Sequence, residues 1–150
     1  MSSVLMVVAQ KDFRDEELFD TRRELTQAGS SVSIASARGG TCHGMLGGSV
    51  EATEALEAVD PGRFDAVVFV GGRGARSFFD DPDAARIAWA MHREGKVVAA
   101  ICLAPVILAN AGLLSGKRAT VFGSESKTLK ARGANYEGPG VIVDGDIVTA

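Results

Sequence analysis

Three short apolar runs, separated by helical patterns, constrain the fold of this chain more than any other feature of its sequence. They are "VLMVVA" (4–9), the centre of "FDAVVFVGG" (64–72) and "KVVAAI" (96–101). A strand that is apolar on both faces must be covered on both, as in a parallel sheet between two layers of helices. The alternation therefore predicts an α/β fold with a doubly wound, mostly parallel sheet.

The segments between these runs carry helix signals. "DEELFDTRRELTQAG" predicts a first helix with Asp15 as its N-cap, Leu18 and Leu25 on one face, and Gly29 at its end. "DPDAARIAWAMHREG" predicts a second helix with a proline near its start and a glycine past its end. A third helix, "APVILANAG", follows "KVVAAI" after two residues, Cys102 and Leu103.

The remaining segments carry strand and turn signals. "SVSIAS" (31–36) alternates as a strand does, and the glycine-broken "CHGMLGGSVEA" predicts a hairpin or an irregular edge. "GVIVDGDIVTA" predicts a closing hairpin, because its "DGD" turn lies between two apolar runs.

Length, charge and cysteine count limit the class of protein. A chain of 150 residues predicts a single domain, 1–150. A net charge of −3 provides no field for nucleic acid or an anionic membrane, and no apolar run has transmembrane length. Two cysteines form no disulfide framework, which favours a reducing compartment. We therefore expect a cytoplasmic protein that binds neither nucleic acid nor membranes.

Cys102 stands where the strand "KVVAAI" becomes the helix "APVILANAG". Such a junction forces a sharp turn that exposes the side chain, as at a nucleophile elbow. A helix N-terminus stabilises a thiolate, so we expect a thiol pKa below the free value of about 8.5. The N–H of Leu103 would form half of an oxyanion hole. The alternative is that Cys102 is a small buried hydrophobic residue.

A glycine pair, Gly71 and Gly72, ends the second apolar run in "VGGRGAR". This run lacks the Lys-Ser/Thr ending of a phosphate-binding P-loop. The pair instead lets the backbone approach the Cys102 pocket, with the Gly72 N–H as the second oxyanion donor. A tight turn without functional meaning explains the pair equally well.

Three acids, Asp15, Glu16 and Glu17, begin the first helix, where acids favour the helix dipole in any case. Only one of them is expected to point inward, and Glu17, beside Leu18, is the better candidate than Glu16. We expect a Glu17 carboxyl oxygen within hydrogen-bond reach of the Cys102 sulfur, with Cys102 in a strained backbone conformation.

The histidines and the second cysteine do not predict a metal site. His43, His92, Cys42 and Cys102 lack CxxC or HxxxH spacing. Neither a metal nor an organic cofactor is expected. Cys42, in a loop without N–H donors, is expected to react more slowly than Cys102.

The order of three motifs, a strand then "DEEL", a strand then "GG", and a strand then "AICLAP", resembles the PfpI superfamily. "GKRATV" and "VDGDIVTA" extend the resemblance over almost the whole chain. It implies a flavodoxin-like fold of the class I glutamine-amidotransferase type and a homodimer. It also implies that Cys102 is the nucleophile, that Glu17 hydrogen-bonds it, and that Gly72 and Leu103 are the oxyanion donors.

The chain departs from this superfamily at two histidine positions. Protease-like members place a histidine directly after the cysteine, where this chain has Leu103. Deglycase-like members have a histidine in the segment that here reads "TVFGSES". No general base for Cys102 is therefore visible in the sequence, which weakens a Cys-His peptidase mechanism.

Three functions follow from these residues. The leading hypothesis is an enzyme that attacks small electrophilic carbonyls through Cys102, in the manner of glyoxalase III and the deglycases, with Glu17 as the proton shuttle. The second is a redox-responsive or chaperone-like stress protein in which Cys102 oxidises to a sulfinate. The third is an intracellular cysteine peptidase.

The last strand, "GDIVTA", raises an expectation about how the sheet is covered. Superfamily members continue from here into one more amphipathic helix that packs on the sheet. Without that helix an apolar groove would remain exposed. We expect either that these residues are part of a longer chain or that a partner subunit covers the groove.

Overall fold

The computed structural model describes residues 2–150, which form twelve strands, four α-helices and short 3₁₀ segments. The strands are β1 (Ser3–Val7), β2 (Lys11–Phe13), β3 (Ser31–Ser36), β4 (Gly40–Gly44), β5 (Ser49–Ala52), β6 (Glu54–Ala55), β7 (Ala66–Phe69), β8 (Val97–Ala100), β9 (Arg118–Ala119), β10 (Asn135–Tyr136), β11 (Ile142–Asp144) and β12 (Ile147–Thr149). The α-helices are α1 (Asp15–Gln27), α2 (Pro82–Arg93), α3 (Pro105–Asn110) and α4 (Ser126–Ala131). The 3₁₀ segments are Leu56–Ala58, Pro61–Arg63, Arg73–Phe78 and Gly123–Glu125.

A central sheet of seven strands has the order β11-β12-β8-β7-β1-β3-β6. Its neighbouring strands are parallel, except for the antiparallel edge pair β11–β12. Two small sheets, β2-β4-β5 and β9-β10, lie outside it. The predicted doubly wound, mostly parallel α/β fold is confirmed.

The two faces of the central sheet explain the uninterrupted apolar runs. In β1, Leu5 and Val7 belong to one buried cluster, whereas Val4 and Met6 belong to another. The first cluster contains apolar residues of α2 and α3, and the second contains Leu18 of α1. Both faces of the strand are therefore covered, so neither tolerates polar side chains.

The predicted hairpins are present. β4 pairs antiparallel with β5, and β11 pairs antiparallel with β12. The position of Cys42 differs from the prediction. Cys42 lies in β4 with no exposed surface, whereas the sequence placed it in a loop. The hairpin packs on the α1 side of the sheet and buries the thiol there.

Among residues 2–150, no helix is long and apolar enough to cross a membrane.

The sequence predicted Asp15 as the N-cap of α1, and this prediction is wrong. Arg14 occupies the capping position, and Asp15 is the first helical residue. The Asp15 carboxylate points inward and accepts hydrogen bonds from the backbone N–H groups of Leu46 (2.8 Å) and Gly48 (2.8 Å). The β4–β5 turn thus takes up the carboxylate that would otherwise cap the helix. Two of the three acids point inward, not one.

Parallel register brings three chain segments to one edge of the sheet. Val7 lies beside Phe69, and Phe69 lies beside Ala100. The residues that follow β1, β7 and β8 therefore leave the sheet side by side at its carboxyl edge, where ligands bind in open α/β folds.

Asp15→Ala is expected to lower the free energy of unfolding by about 1–3 kcal/mol, because two backbone N–H groups lose their acceptor. Urea unfolding measures this change. Asp20→Ala is the control, because Asp20 is an exposed residue of the same helix. Equal stability of the two variants would contradict the role of Asp15 in holding the hairpin.

Candidate active site

Cys102 has a left-handed backbone with φ of 62°. Its N–H donates to the carbonyl oxygen of Ala150 (2.8 Å), and its carbonyl oxygen accepts from the N–H of Phe122 (2.7 Å). These two hydrogen bonds hold a conformation that non-glycine residues rarely adopt. The predicted backbone strain is confirmed.

The turn at Cys102 is longer than the sequence predicted. β8 ends at Ala100 and α3 begins at Pro105, so four residues (101–104) make the junction. The helix N-terminus, which the sequence placed at the thiol, therefore begins three residues further along the chain, because the intervening residues form their own turn. The positive partial charges that reach the thiol come from nearby backbone N–H groups instead.

Those N–H groups belong to Gly72 and Leu103, which line the same cavity as Cys102, and both lower the pKa of its thiol. Gly72 has φ of 97°, and a Cβ there would lie 2.5 Å from the backbone nitrogen of Arg14. Glycine is required at this position for both reasons. The two N–H groups that the sequence predicted for an oxyanion hole therefore both lie near the Cys102 sulfur.

Glu17 reaches the thiol from α1. Its Oε1 accepts a hydrogen bond from the N–H of Gly71 (2.8 Å), and its carboxyl group lies beside the Cys102 thiol, where each group shifts the pKa of the other. Glu16 instead pairs with Arg14 at the surface (2.9 Å). The predicted choice of Glu17 over Glu16 is confirmed.

Gly71 holds Glu17 in place and is not a free oxyanion donor, because its N–H already donates to the carboxylate. A Cβ on Gly71 would lie 2.5 Å from the Ile101 carbonyl oxygen and 2.7 Å from the Cys102 Cβ. No side chain fits between these atoms. The glycine lets the strand end, the acid and the thiol meet.

Burial sets the protonation of this pair. Desolvation raises the pKa of the Cys102 thiol, and the charge of Glu17 raises it further, whereas the N–H groups of Gly72 and Leu103 lower it. The sequence prediction of a lowered thiol pKa is therefore wrong, because desolvation outweighs the N–H donors. Desolvation also raises the pKa of Glu17, against the lowering effects of its hydrogen bonds and of Arg14.

Two cavities meet at Cys102. The larger, about 470 Å³, is mostly apolar and includes Thr120 and Tyr136 in its lining. The smaller, about 200 Å³, is lined by Arg14, Met45, Gly72, Arg73, Cys102, Leu103 and Phe122. The smaller cavity contains both residues whose N–H groups lower the pKa of the thiol. A small molecule there would lie beside both the thiol and these two N–H groups.

Neither histidine of the chain lines these cavities. His43 is exposed on β4, and His92 lies in the last turn of α2. In the described part of the chain, no group of three or more His, Cys, Asp or Glu side chains is placed to hold a metal ion. The carboxyl group of Glu17 lies beside the thiol and is a group able to move a proton.

The sequence profile of the DJ-1/PfpI family matches residues 2–150. The chain belongs to the DJ-1/PfpI family. A deglycase of Pyrococcus abyssi is 34% identical over 146 residues, which cover 97% of this chain and 88% of that protein. A Bacillus subtilis relative, named provisionally as a cysteine protease, is 33% identical over 100% of this chain and 89% of its own.

Solved structures of the DJ-1/PfpI family share the fold. A ThiJ/PfpI domain protein of Brachyspira murdochii superposes with a TM-score of 0.96 at 34% identity, over 99% of this chain and 86% of the other. An oxidised DJ-1 of Toxoplasma gondii gives 0.87 at 29% identity, over 100% of this chain and 82% of the other.

Four residues of the smaller cavity were not predicted. Arg14 and Arg73 adjoin the predicted motifs "DEEL" and "GG", so their position in the sequence was a usable signal. Met45 and Phe122 come from loops whose location depends on the whole topology. Sequence alone gave no signal for those two.

Glu17→Gln is expected to raise the free energy of unfolding near neutral pH. Because folding raises the pKa of Glu17, the folded state pays a penalty for ionising it, and that penalty grows as pH rises above the unfolded value of about 4.3. Glutamine carries no charge and keeps an oxygen for the Gly71 N–H.

Urea unfolding near neutral pH and at about pH 4 measures this effect, since the carboxyl is mostly protonated in the folded state at the lower pH. The advantage of the variant should disappear there. Glu16→Gln, at an exposed position of the same turn, is the control. A variant that is less stable than the parent near neutral pH would contradict the expectation.

Proposed function

We propose that this protein is a cysteine-dependent enzyme that acts on small electrophilic carbonyls, with a deglycase or glyoxalase III type of activity. The supporting observation is the convergence of the Cys102 sulfur, the Glu17 carboxyl and the N–H groups of Gly72 and Leu103. The deglycase names of its relatives, such as that of Pyrococcus abyssi, point to the same class of substrate.

The first chemical step is addition of the thiol to the carbonyl carbon. A sulfur–carbon bond forms, and the π electrons of the C=O bond move to the oxygen. The N–H groups of Gly72 and Leu103 stabilise that oxygen, as in an oxyanion hole. Glu17 accepts the thiol proton and passes it to the oxygen, which gives a hemithioacetal.

The raised pKa of Glu17 suits this role. A carboxyl that binds its proton tightly accepts the thiol proton more readily than an exposed one does, and it returns the proton to an alkoxide without difficulty. Conversion of a 2-oxoaldehyde into its 2-hydroxy acid consumes one water and moves one hydrogen between adjacent carbons. No external oxidant or reductant is needed.

A redox role for the same thiol is the second candidate. The oxidised DJ-1 of Toxoplasma gondii, at 29% identity, is the observation that favours it. Two successive two-electron oxidations by peroxide would convert the Cys102 thiolate into a sulfinate, and a protonated Glu17 would donate a hydrogen bond to it. The peptidase alternative has less support, because Leu103 follows the cysteine and neither histidine lines the site.

Methylglyoxal consumption by the purified protein tests the leading proposal. Cys102→Ser should abolish turnover, and Glu17→Ala should lower kcat roughly 10²–10⁴-fold, the usual range for general acid–base catalysis. Cys42→Ala is the matched control and should retain activity, because Cys42 is buried away from the cavities. Turnover that survives Cys102→Ser would overturn the proposal, and peptide cleavage that depends on Cys102 would favour the peptidase.

We also propose that the protein is a cytoplasmic homodimer. Two exposed valines lie at the edge of the sheet: Val143 (54%) in β11 and Val141 (67%) directly before that strand. An open sheet edge with apolar side chains favours pairing with a second copy. Light scattering should give twice the 15.6 kDa chain mass. Charged substitutions at both valines should then release monomers, and a dimer unaffected by them would place the interface elsewhere.

A further inference from the structure

Two arginines line the smaller cavity beside the nucleophile. Arg14 comes from the start of α1, and Arg73 follows the glycine pair after β7. Glu16 is the main group that raises the pKa of the Arg14 guanidinium, and the nearby charges of Glu17 and Cys102 add to that rise. The mechanism described above uses neither arginine.

The segments that carry these arginines are bound to each other. The backbone N–H of Arg14 donates to the carbonyl oxygen of Gly71 (2.9 Å). The Nε of Arg73 pairs with Oδ2 of Asp12 (3.1 Å), and Asp12 has a left-handed backbone with φ of 66°. Within residues 2–150, Asp12 and Cys102 are the non-glycine residues with positive φ, and both border this site.

The two guanidinium groups retain hydrogen-bonding capacity. A guanidinium has five N–H donors. The Arg14 side chain donates through Nε to Glu16 (2.9 Å), and within residues 2–150 its terminal nitrogens make no hydrogen bond. Arg73 donates to Asp12 through Nε and one terminal nitrogen, which leaves the other terminal nitrogen.

The partners of both arginines are exposed carboxylates. Glu16 and Asp12 have side-chain exposures of 47% and 39%. Ion pairs at such exposed positions hold weakly, so a ligand carboxylate can share or replace them. A guanidinium matches the planar geometry of a carboxylate and binds it through two parallel hydrogen bonds.

We propose that this cavity binds a small electrophile that carries a carboxylate next to its reactive carbon, with Arg14 and Arg73 holding the carboxylate. Among carbonyl compounds the corresponding class is the small 2-oxo carboxylates, of which glyoxylate is the simplest aldehyde. The cavity volume of about 200 Å³ accommodates a molecule of this size. The carbonyl class rests on the proposed function, whereas carboxylate recognition is a property of the cavity itself.

Alkylation of Cys102 tests carboxylate recognition without any turnover. Iodoacetate and iodoacetamide deliver the same carbon to the thiolate: a sulfur–carbon bond forms, the carbon–iodine bond breaks, and iodide leaves with the electron pair. They differ only in carboxylate against amide. The Cys42→Ala background ensures that the rate reports Cys102.

The measured quantity is the iodoacetate rate divided by the iodoacetamide rate, compared with the same ratio for N-acetylcysteine. The expected ratio for the protein is at least about tenfold higher, a difference typical of one well-placed charged contact. The iodoacetate rate should also saturate with concentration and fall as salt is added. A ratio equal to that of N-acetylcysteine would overturn the proposal.

Arg14→Gln and Arg73→Gln should each bring the ratio toward that of the free thiol. The iodoacetamide rate of each variant corrects for any change in folding or in thiol pKa. Arg14→Lys should restore part of the ratio. Arg22→Gln is the control, because Arg22 lies over the Phe19 ring elsewhere on α1 (5.2 Å to its centroid). An unchanged ratio in both Arg14→Gln and Arg73→Gln would also overturn the proposal.

Glyoxylate separates this proposal from the proposed function. It should inhibit methylglyoxal consumption competitively, and Arg14→Gln should weaken that inhibition more than it changes kcat. A high alkylation ratio without methylglyoxal consumption would leave the carboxylate site standing and remove the proposed activity. Methylglyoxal consumption with an alkylation ratio equal to that of N-acetylcysteine, and without glyoxylate inhibition, would support the proposed activity. It would also overturn the carboxylate site.

Discussion

The close approach of the segment after β7 to the strand end at Cys102 is the constraint on which the site depends. Gly71 lies between the Ile101 carbonyl oxygen, Glu17 and the thiol, at distances that exclude a Cβ. The parallel register of β7 and β8 sets that approach, because Phe69 and Ala100 lie side by side where the strands end. The register of the sheet therefore also sets the geometry of the site.

This arrangement places a thiol and a carboxyl side by side in half-buried positions. Desolvation raises the pKa of both, so the ionised form of either group is stabilised mainly by its local hydrogen bonds. The Gly71 N–H supports the Glu17 carboxylate, and the Gly72 and Leu103 N–H groups support the thiolate. Ionising either group in this environment costs free energy, and stabilising contacts elsewhere in the fold must offset that cost.

Sequence patterns predicted what periodicity and turn chemistry determine. The apolar runs gave the parallel sheet, and the position of Glu17 beside Leu18 gave the correct acid, because helix geometry fixes which side chains share a face. The burial of Cys42 and the inward turn of Asp15 depend on where the β4–β5 hairpin packs. The thiol pKa depends on how completely water is excluded. Those are properties of the assembled fold, which local patterns do not contain.

Four consecutive residues at the start of α1 show how much one helical turn controls. Arg14 lines the smaller cavity, Asp15 holds the β4–β5 turn, Glu16 pairs with Arg14, and Glu17 meets the thiol. With 3.6 residues per turn, successive side chains point about 100° apart, so each reaches a different partner. The β4–β5 turn also carries Met45 into the cavity. The Asp15 contacts thus tie the wall of the cavity to the same turn that delivers the acid, and a shift of α1 by one residue would disrupt both together.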